Sequence, residues 1–183
     1  MIRIQPLTEI NADDLVRLVS GYTSNELFRV SRTETDGNFT LKLELTESAG
    51  PYHKRFNPEQ DLEHYLKLPE LGFSFGAFEN ELLVGLALAE PRQWNRSLMV
   101  WELHVAEDHR GCGIGRMLVD SLSGRAAEAG LRTLVAETQN TNLPAIRFYR
   151  SVGFRIEGID LSLYSNADFP DGEIALFMKK IIG

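Results

Sequence analysis

Residues 107–122, EDHRGCGIGRMLVDSL, determine how the centre of this 183-residue chain folds. Three alternating glycines separate the hydrophobic segment SLMVWELHV from a segment with helical periodicity, so a strand turns into a helix here. Because glycines carry no side chains, successive N–H groups at such a turn can converge on an anion, helped by the helix dipole. Arg110 and Arg116 flank the glycines and can add charge-assisted hydrogen bonds. The pattern predicts a diphosphate-binding loop, with a tight turn that binds nothing as the alternative.

The spacing of the three glycines argues against two common nucleotide-binding motifs. They occupy positions 111, 113 and 115, whereas the nicotinamide dinucleotide fingerprint requires G-x-G-x-x-G. The nucleoside triphosphate loop requires a lysine after its last glycine, and no lysine follows here. Neither motif fits, so the predicted diphosphate belongs to another class of ligand.

The composition is typical of one globular domain, which we expect to span residues 1–183. Apolar residues make up 43% of the chain and charged residues 25%, enough for a sizeable core. The first residues, MIRIQPLTEINADD, lack a secretory apolar region, and no apolar run approaches the ~20 residues of a membrane span, so we expect a cytoplasmic protein without a membrane partner. The single cysteine, Cys112, excludes an internal disulfide, and four scattered histidines show no ligand spacing, so no metal is expected.

The charge is unevenly distributed along the chain. The net charge of −7 argues against a nucleic-acid partner. Residues 92–155 nevertheless hold nine Arg against six Asp or Glu, a net charge of +3, and the remainder of the chain carries −10. A basic central segment within an acidic protein is compatible with an anionic ligand at the centre, although ordinary surface composition is the alternative.

Hydrophobic periodicity predicts a mixed α/β chain with a strand, helix, strand, helix, strand unit in its second half. The predicted strands are IRIQPL, FTLKLELTE, FSFGAF, LLVGLALAEP, SLMVWELHV, RTLVAET, IEGIDLSLY and GEIALFMKKI, with FSFGAF and LLVGLALAEP forming a hairpin. The first two predicted helices are NADDLVRLVSGY, capped by Asn11, and NPEQDLEHYLKL, which begins with Asn57 and Pro58. The third follows the glycines and ends at Gly130; its apolar stripe consists of Ile114, Met117, Leu118, Leu122 and Ala126. The fourth is NLPAIRFYRSVGF, which is capped by Asn142 and ends at Gly153. A less regular region is expected between the first helix and FTLKLELTE.

Three sequence features together resemble the GNAT acetyltransferase superfamily. Arg110-x-x-Gly113-x-Gly115 is similar to the family's R/Q-x-x-G-x-G/A signature, which binds the pyrophosphate of coenzyme A. Asn142 and the segment FYRSVGF follow in order, and FYRSVGF resembles the family's F-Y-x-x-x-G-F signature. The resemblance implies an α/β, GNAT-like acyl-CoA N-acyltransferase fold: a central, mostly antiparallel sheet with splayed parallel strands 4 and 5, flanked by helices. It also implies acetyl-CoA as the co-substrate and no metal.

The resemblance also implies which residues bind acetyl-CoA. In such enzymes two parallel strands splay apart and the pantetheine arm inserts between them; here these strands would be residues 98–105 and 132–138. Main-chain groups of the first strand would then bind the pantetheine amides and polarise the thioester carbonyl. An ordinary central strand with a closed ladder is the alternative. The predicted cofactor-binding residues are Leu103, His104, Val105, Arg110, Gly111, Cys112, Gly113, Ile114, Gly115, Arg116, Asn142 and Tyr149.

Acetylation of an alkylamine requires a base, and Glu102 is our candidate. A lysine-type ammonium has a pKa near 10.4, so its deprotonation at pH 7 costs about 4–5 kcal/mol. The period of two along a strand places Leu103 and Val105 on one face and Glu102 with His104 on the other. His104 could relay the proton instead. The alternative for Glu102 is a solvated or ion-paired strand residue.

Tyr149 is the second predicted catalytic residue. It is the tyrosine of FYRSVGF, and the resemblance implies that it protonates the departing coenzyme A thiolate. Packing on an amphipathic helix is the alternative for Tyr149 and the expectation for Phe148. Cys112 is not expected to be a nucleophile, because members of the family transfer acetyl directly to the amine. Arg147 and Arg150 are two further candidates, for the 3′-phosphate of coenzyme A.

The expected activity is acetyl-CoA-dependent N-acetylation of a primary amine on a small cationic acceptor. The C-terminal half, with ETQNTNLPAIRFYRSVGF, GIDLSLY and EIALFMKK, resembles the streptothricin acetyltransferase branch, whose members acetylate the β-lysine amine of an antibiotic and so confer antibiotic resistance. Acetylation of protein N-termini or lysines is an alternative, and a non-catalytic acyl-CoA sensor is another. A homodimer is compatible with the resemblance.

Overall fold

The computed structural model describes residues 1–182, which form nine strands and four α-helices. The strands are β1 (Ile2–Pro6), β2 (Tyr22–Thr35), β3 (Asn38–Lys54), β4 (Phe75–Glu79), β5 (Leu82–Arg92), β6 (Ser97–Val105), β7 (Thr133–Gln139), β8 (Arg155–Asp160) and β9 (Ala175–Ile181). The α-helices are α1 (Ala12–Leu18), α2 (Leu62–Lys67), α3 (Ile114–Glu128) and α4 (Leu143–Ser151). Short 3-10 turns cover Pro58–Asp61, Leu68–Leu71, Gln93–Asn95 and Glu107–His109.

Contacts divide the described chain into two compact units. The first unit comprises Met1–Ser20, Phe56–Ala136 and 179–182, and the second comprises Gly21–Arg55 and Glu137–Met178. Strands β7 and β9 each contribute residues to both units. The expectation of a single domain over residues 1–183 is not tested by this division and stays a prediction; its last residue lies outside the described part of the chain.

The first unit is built on antiparallel strands in the order β1, β4, β5, β6, with β7 parallel to β6. The centre of β5 is buried, because strands lie on both sides of it and its sequence LLVGLALAEPR is almost entirely apolar. The β4–β5 hairpin is confirmed, and its turn places Asn80 and Glu81 at φ of +46° and +70°, as tight hairpin turns require. The predicted fold class, α/β with a mixed sheet, is confirmed.

Helix α3 packs one apolar stripe against this sheet. Ile114, Leu118, Leu122 and Ala126 are buried, as predicted. The prediction for Met117 is wrong: its side chain is 37% exposed. At 100° per residue, Met117 lies well away from the centre of the buried stripe. Gly130, in the left-handed region at φ +69°, follows the helix end as predicted.

The segment predicted as one helix over NPEQDLEHYLKL is shorter and interrupted. Asn57 caps a 3-10 turn by accepting the N–H of Glu59 at 3.2 Å, and only Leu62–Lys67 is α-helical. A second 3-10 turn follows, and Pro69 lies within it. Since proline clashes with an α-helical residue before it, the helix ends there. Helix α1 begins as predicted, because Asn11 accepts the N–H of Asp14 at 2.8 Å and Leu15 and Leu18 are buried. It ends at Leu18, so the predicted segment NADDLVRLVSGY is too long, and its last residue, Tyr22, belongs to β2.

The second unit contains a long two-stranded ribbon that the sequence did not reveal. Strands β2 and β3 pair from Tyr22↔Lys54 to Thr35↔Asn38. We expected a less regular region in place of β2, and this expectation is wrong. Residues 31–40 are all exposed, so this part of the ribbon has no buried face, and β2 shows no consistent apolar alternation. FTLKLELTE is a strand, but Phe39 and Leu45 are exposed instead of half-buried.

The second unit also holds α4 and the strands that follow it. Helix α4 begins and ends as predicted: Asn142 accepts the N–H of Ala145 at 3.2 Å, and Gly153 adopts φ +98° beyond its last turn. The predicted strand IEGIDLSLY is too long, because β8 ends at Asp160. The Asp160 carboxylate accepts the N–H of Ser162 at 3.0 Å, which starts a turn in place of further strand.

Candidate active site

The parallel pairing of β6 with β7 is short. It consists of four pairs, the last of which joins Val100 to Ala136. The next residue, Trp101, is a bulge in the antiparallel pairing of β6 with β5. A bulge bends its strand and increases the local twist. Strand β6 nevertheless continues to Val105, so its last five residues extend beyond the parallel ladder.

The glycine loop, residues 110–115, follows β6 after a 3-10 turn at Glu107–His109. Gly111 and Gly113 adopt φ of +79° and +81°, a region in which other residues are strained. A Cβ atom built on either glycine meets no atom within 4 Å, so open space lies in front of the loop backbone. Arg110 donates its Nε–H to the carbonyl of Val105 at 3.1 Å and thereby joins the loop to the end of β6.

The loop ends in the N-terminus of the 15-residue helix α3. The first N–H groups of an α-helix have no partner within the helix, and the dipole adds positive potential there. Gly113 is the N-cap and supplies no side-chain cap, and the first turn contains no acidic residue. Backbone donors, open space and helix dipole together fit a diphosphate group.

The predicted cofactor-binding residues from Arg110 to Arg116 lie together in the glycine loop and the first turn of α3, but their side chains differ in exposure. Ile114 is buried and can contribute only its backbone. Cys112 is exposed, and its Sγ lies 3.8 Å from the Arg110 carbonyl. The expectation that Cys112 is not a nucleophile stays a prediction. The proposed contacts of Gly115 and Arg116 with a cofactor stay predictions.

His109 anchors the start of the loop, which sequence analysis did not anticipate. Its Nδ1 lies 2.6 Å from the Asp108 carboxylate and its Nε2 lies 3.1 Å from that of Glu79 in β4. The hydrogen bond to Asp108, and then that to Glu79, raises the pKa of His109. The same bonds lower the pKa of both carboxyls. No signal in the sequence connects residues 79 and 109, because the sheet alone brings them together.

Glu102 and His104 lie on one face of β6, as the strand period predicted. His104 Nε2 and Glu102 Oε2 are 2.6 Å apart, and their side chains are 14% and 15% exposed. The edge of Phe56 packs against the His104 ring at 5.9 Å. A carboxylate joined to an imidazole can accept a proton at one atom and pass it to the other. Their catalytic roles stay predictions.

Sequence analysis also missed the surroundings of Trp101. Its indole N–H donates to Glu90 at 2.8 Å, and the Arg92 guanidinium lies 5.9 Å from its ring. His64 packs edge-on against it at 4.8 Å, and no hydrogen-bond partner for the buried His64 Nε2 is present among the described residues. The sequence does not reveal the bulge at Trp101, because a bulge depends on pairing with another strand.

Tyr149 lies in α4 of the second unit. Its side chain is 7% exposed, and its ring packs 5.1 Å from Phe154 and 5.6 Å from Phe148, which is half-buried. The burial of the ring agrees with the packing interpretation. The role of the hydroxyl as a general acid stays a prediction. Arg147 donates to Glu26 at 2.7 Å and Arg150 lies 5.2 Å from the Phe28 ring, so both have structural contacts.

No three or more His, Cys, Asp or Glu side chains among residues 1–182 are grouped so that they could hold a metal ion. Within the same residues, no helix is both long and apolar enough to cross a membrane.

Comparisons of the chain with known proteins identify the family that it matches. The model of the acetyltransferase (GNAT) family matches residues 39–154, more than half of the chain. Streptothricin acetyltransferase of Streptomyces lavendulae is 41% identical over 96 residues, which are 52% of this chain and only half of that protein's length. Streptothricin acetyltransferase A of Bacillus subtilis (strain 168) is 30% identical over 129 residues, 69% of this chain and 72% of that protein.

Solved structures give the same result for the fold. The crystal structure of nourseothricin acetyltransferase superimposes with a TM-score of 0.76 at 32% identity, covering 100% of this chain and 99% of that one. A Bacillus anthracis structure in complex with acetyl coenzyme A also superimposes with a TM-score of 0.76, covering 99% of each chain. Its identity is 22%, so that likeness concerns the fold alone.

Proposed function

This chain belongs to the acetyltransferase (GNAT) family, and we propose that it moves the acetyl group of acetyl-CoA directly to a primary amine of a small cationic acceptor. The predicted family and the predicted enzyme class, an N-acetyltransferase, are confirmed by the match over residues 39–154 and by the streptothricin acetyltransferase relatives. The cofactor contacts, the catalytic side chains and the acceptor are the proposed parts.

One structural feature supports this activity most directly: the glycine loop stands between an extended strand and the head of a helix. We propose that the N–H groups from Gly111 to Arg116 hold the diphosphate of acetyl-CoA, with the Arg110 and Arg116 side chains adding charge. The open space in front of Gly111 and Gly113 is consistent with this role, because a larger residue would fill it. When bound, acetyl-CoA supplies an acetyl group that is already activated as a thioester.

The end of β6 is proposed to orient the reacting end of the cofactor. Main-chain groups of Leu103, His104 and Val105 would hydrogen-bond the pantetheine amides and polarise the thioester carbonyl. The parallel ladder ends at Val100, and the bulge at Trp101 bends the strand before these residues. A main chain needs no particular side chain for this task, so positioning supplies much of the rate.

Glu102 is proposed to remove the proton from the acceptor's ammonium group. The contact of 2.6 Å between His104 Nε2 and Glu102 Oε2 supports proton transfer through this pair, with His104 as the relay. Deprotonation of an alkylammonium costs about 4–5 kcal/mol at pH 7, and the pair would offset part of this cost.

Tyr149 is proposed to protonate the departing thiolate of coenzyme A, and Asn142 to contact the cofactor besides capping α4. The firm packing of the Tyr149 ring against Phe154 supports this role, because a proton donor must be held in a fixed position. Burial would also keep water from competing for the proton.

Streptothricin or a similar lysine-bearing antibiotic is the acceptor that the relatives' names support best. The acidic part of the chain, with a net charge of −10 outside residues 92–155, would attract a cation of this kind. Acetylation of such an amine would remove its positive charge, which fits a role in antibiotic resistance.

The experiment that tests the proposed function is release of free coenzyme A thiol on incubation with acetyl-CoA and a panel of amines. The panel contains streptothricin, spermidine and peptides with free N-termini. We expect turnover with streptothricin and weaker turnover with the peptides. Absence of thiol release with every amine would contradict the activity, and peptides as the best acceptors would contradict the proposed acceptor class.

A further inference from the structure

The ribbon of β2 and β3 has one face that is mostly apolar. On this face, the pairing register places four residues of β2 opposite four of β3: Phe28↔Leu45, Val30↔Leu43, Arg32↔Leu41 and Glu34↔Phe39. Side chains of directly opposite residues lie on the same side of an antiparallel pair, so all of these share one face. We call its β3 residues, Phe39, Leu41, Leu43 and Leu45, the apolar strip.

This face begins in the core of the second unit and continues into solvent. At its inner end, Phe28 and Val30 are buried, and Arg150 of α4 lies over the Phe28 ring at 5.2 Å. Leu45, directly opposite Phe28, is already 48% exposed, and Phe39 at the outer end is 55% exposed. The unit therefore covers the inner end of the face and leaves much of the apolar strip open to water.

The opposite face of the ribbon is polar. Its cross-strand pairs are Arg29↔Glu44, Ser31↔Lys42, Thr33↔Thr40 and Thr35↔Asn38. Lys42 and Glu44 also form an ion pair at 2.7 Å. Over residues 38–45, β3 therefore alternates strictly between polar and apolar side chains. Such alternation is typical of a strand that has one face in water and the other against a core.

The alternation in β3 requires more burial than one chain provides, because Phe39 and Leu45 are exposed. Single exposed apolar side chains are ordinary on protein surfaces, but the four of the apolar strip are consecutive on one face and form a contiguous patch. A two-stranded ribbon is also marginally stable in water on its own and gains stability when its apolar face is packed. A surface that covers the apolar strip would account for both the pattern and the ribbon.

The shape of the apolar strip favours a flat partner. Sites for small molecules are concave and enclose most of the ligand, whereas the strip lies along an extended ribbon of two strands. Two sheets pack face to face about 10 Å apart, with the apolar side chains of their inner faces interdigitating. Another sheet face with a similar row of apolar side chains therefore fits the strip best.

The charges beside the apolar strip favour a second copy of this chain. From Phe28↔Leu45 to Glu34↔Phe39, the charged residues on this face are Arg32 and Glu34, which pair with each other. The face is thus neutral, although the chain carries a net charge of −7. A two-fold axis brings the same face of each copy together, so a face of one sign would repel its copy. A face with one charge of each sign attracts its copy when Arg32 approaches Glu34 of the partner subunit.

We propose that two copies of this chain form a homodimer by packing their apolar strips face to face. The two ribbons then make a small four-stranded sandwich with Phe39, Leu41, Leu43 and Leu45 of both copies inside it. The face is only about 20 Å long, because it spans six residues of strand. This is short of the area buried in permanent dimers, so we expect a dimer that dissociates at roughly micromolar concentration.

Sedimentation equilibrium tests the dimer with the whole chain at about 1 to 200 µM, a range that brackets weak association. We expect the average mass to rise with concentration from 20.6 kDa, the mass of one chain, towards twice that value. The mass of one chain at every concentration would overturn the inference.

Phe39→Glu combined with Leu41→Glu places four carboxylates inside the proposed interface. In one chain, Arg32 lies opposite position 41 and 5.6 Å from the ring at position 39, so it can balance part of the new charge within a folded ribbon. We expect association to weaken by at least about 100-fold, because like charges meet in an apolar contact. A circular dichroism spectrum and a melting temperature like those of wild type check folding.

Asn38→Glu combined with Thr40→Glu is the matched control. It adds the same charge to the same strand but on the polar face, at two exposed positions. We expect this variant to dimerise nearly as strongly as wild type. A dimer that survives the change at positions 39 and 41, or that is weakened equally by the control, would contradict the apolar strip as the contact.

Two charge reversals give a recovery of association that misfolding cannot imitate. Arg32→Glu leaves two carboxylates on the outer part of the face, and Glu34→Arg leaves two guanidinium groups there. Each variant alone should associate several-fold more weakly than wild type. An equimolar mixture should regain the dimer in the same sedimentation experiment, because the two faces then carry opposite charges. A mixture that associates no better than its components would contradict the packing of one copy's strip against another's.

Discussion

Tyr149 combines a ring with a packing role and a hydroxyl with a proposed chemical role. The substitution Tyr149→Phe keeps the ring against Phe154 and removes only the hydroxyl. We expect kcat to fall by about 10- to 100-fold, the range typical of a lost general acid, with little change in KM for acetyl-CoA. Steady-state kinetics measure both, and a melting temperature close to that of wild type controls for folding. An unaltered kcat would remove Tyr149 from the mechanism.

Glu102 is expected to matter most when the acceptor is protonated. Glu102→Gln should lower kcat/KM for the amine by about 100-fold at pH 7. In the variant, the rate should rise about tenfold per pH unit below the pKa of the amine, because only the neutral fraction of the amine reacts. A pH profile from 6 to 9 tests this. The base is another group if the variant keeps the wild-type rate and profile.

His109 makes the stability of the glycine loop dependent on pH. Hydrogen bonds to Asp108 and Glu79 raise the pKa of His109 in the folded protein. Its stabilising contribution is therefore fully present below about pH 6.5, the ordinary pKa of histidine, and is lost as the pH rises through the raised value. The melting temperature of wild type should exceed that of His109→Asn by more at pH 6 than at pH 9. A difference that is constant or grows with pH would contradict this assignment.

At the level of single elements, the sequence predicted those whose apolar residues are buried in a core. Strand β6, helix α3 and the cap at Asn142 follow the prediction, because their local pattern and their burial agree. Strand β2 was missed, since its pairing with the distant strand β3 holds it in an extended conformation and much of the ribbon is exposed. An exposed strand of this kind carries little periodic signal, whereas FTLKLELTE in β3 alternates and was predicted.

The residues of the candidate site also fall into two groups, those that the local sequence predicted and those that it did not. The glycine loop and the Glu102–His104 pair were predictable, because both are encoded by neighbouring residues. The contact of His109 with Glu79 was not, because these two residues lie 30 positions apart in the chain. Contacts between distant segments depend on the three-dimensional fold, which a local sequence pattern does not specify.

For the molecule as a whole, the net charge of −7 predicts electrostatic attraction of a cationic acceptor. With acetyl-CoA saturating, kcat/KM for 1,5-diaminopentane should fall about two- to tenfold between roughly 0.05 and 0.5 M salt, because the Debye length shortens. The effect should appear mainly in KM. A value that does not change with ionic strength would contradict attraction of the acceptor by the acidic surface.

Binding of acetyl-CoA to the glycine loop is best tested by calorimetry on Gly113→Ala and Gly130→Ala. Both glycines have positive φ, +81° and +69°, and open space around a Cβ atom, so each alanine should cost about 1 kcal/mol of stability. We expect heat of acetyl-CoA binding in wild type and in Gly130→Ala, and binding at least about tenfold weaker in Gly113→Ala, where the methyl group would meet the diphosphate. No binding by wild type, or equal affinity of the two variants, would contradict a diphosphate site at this loop.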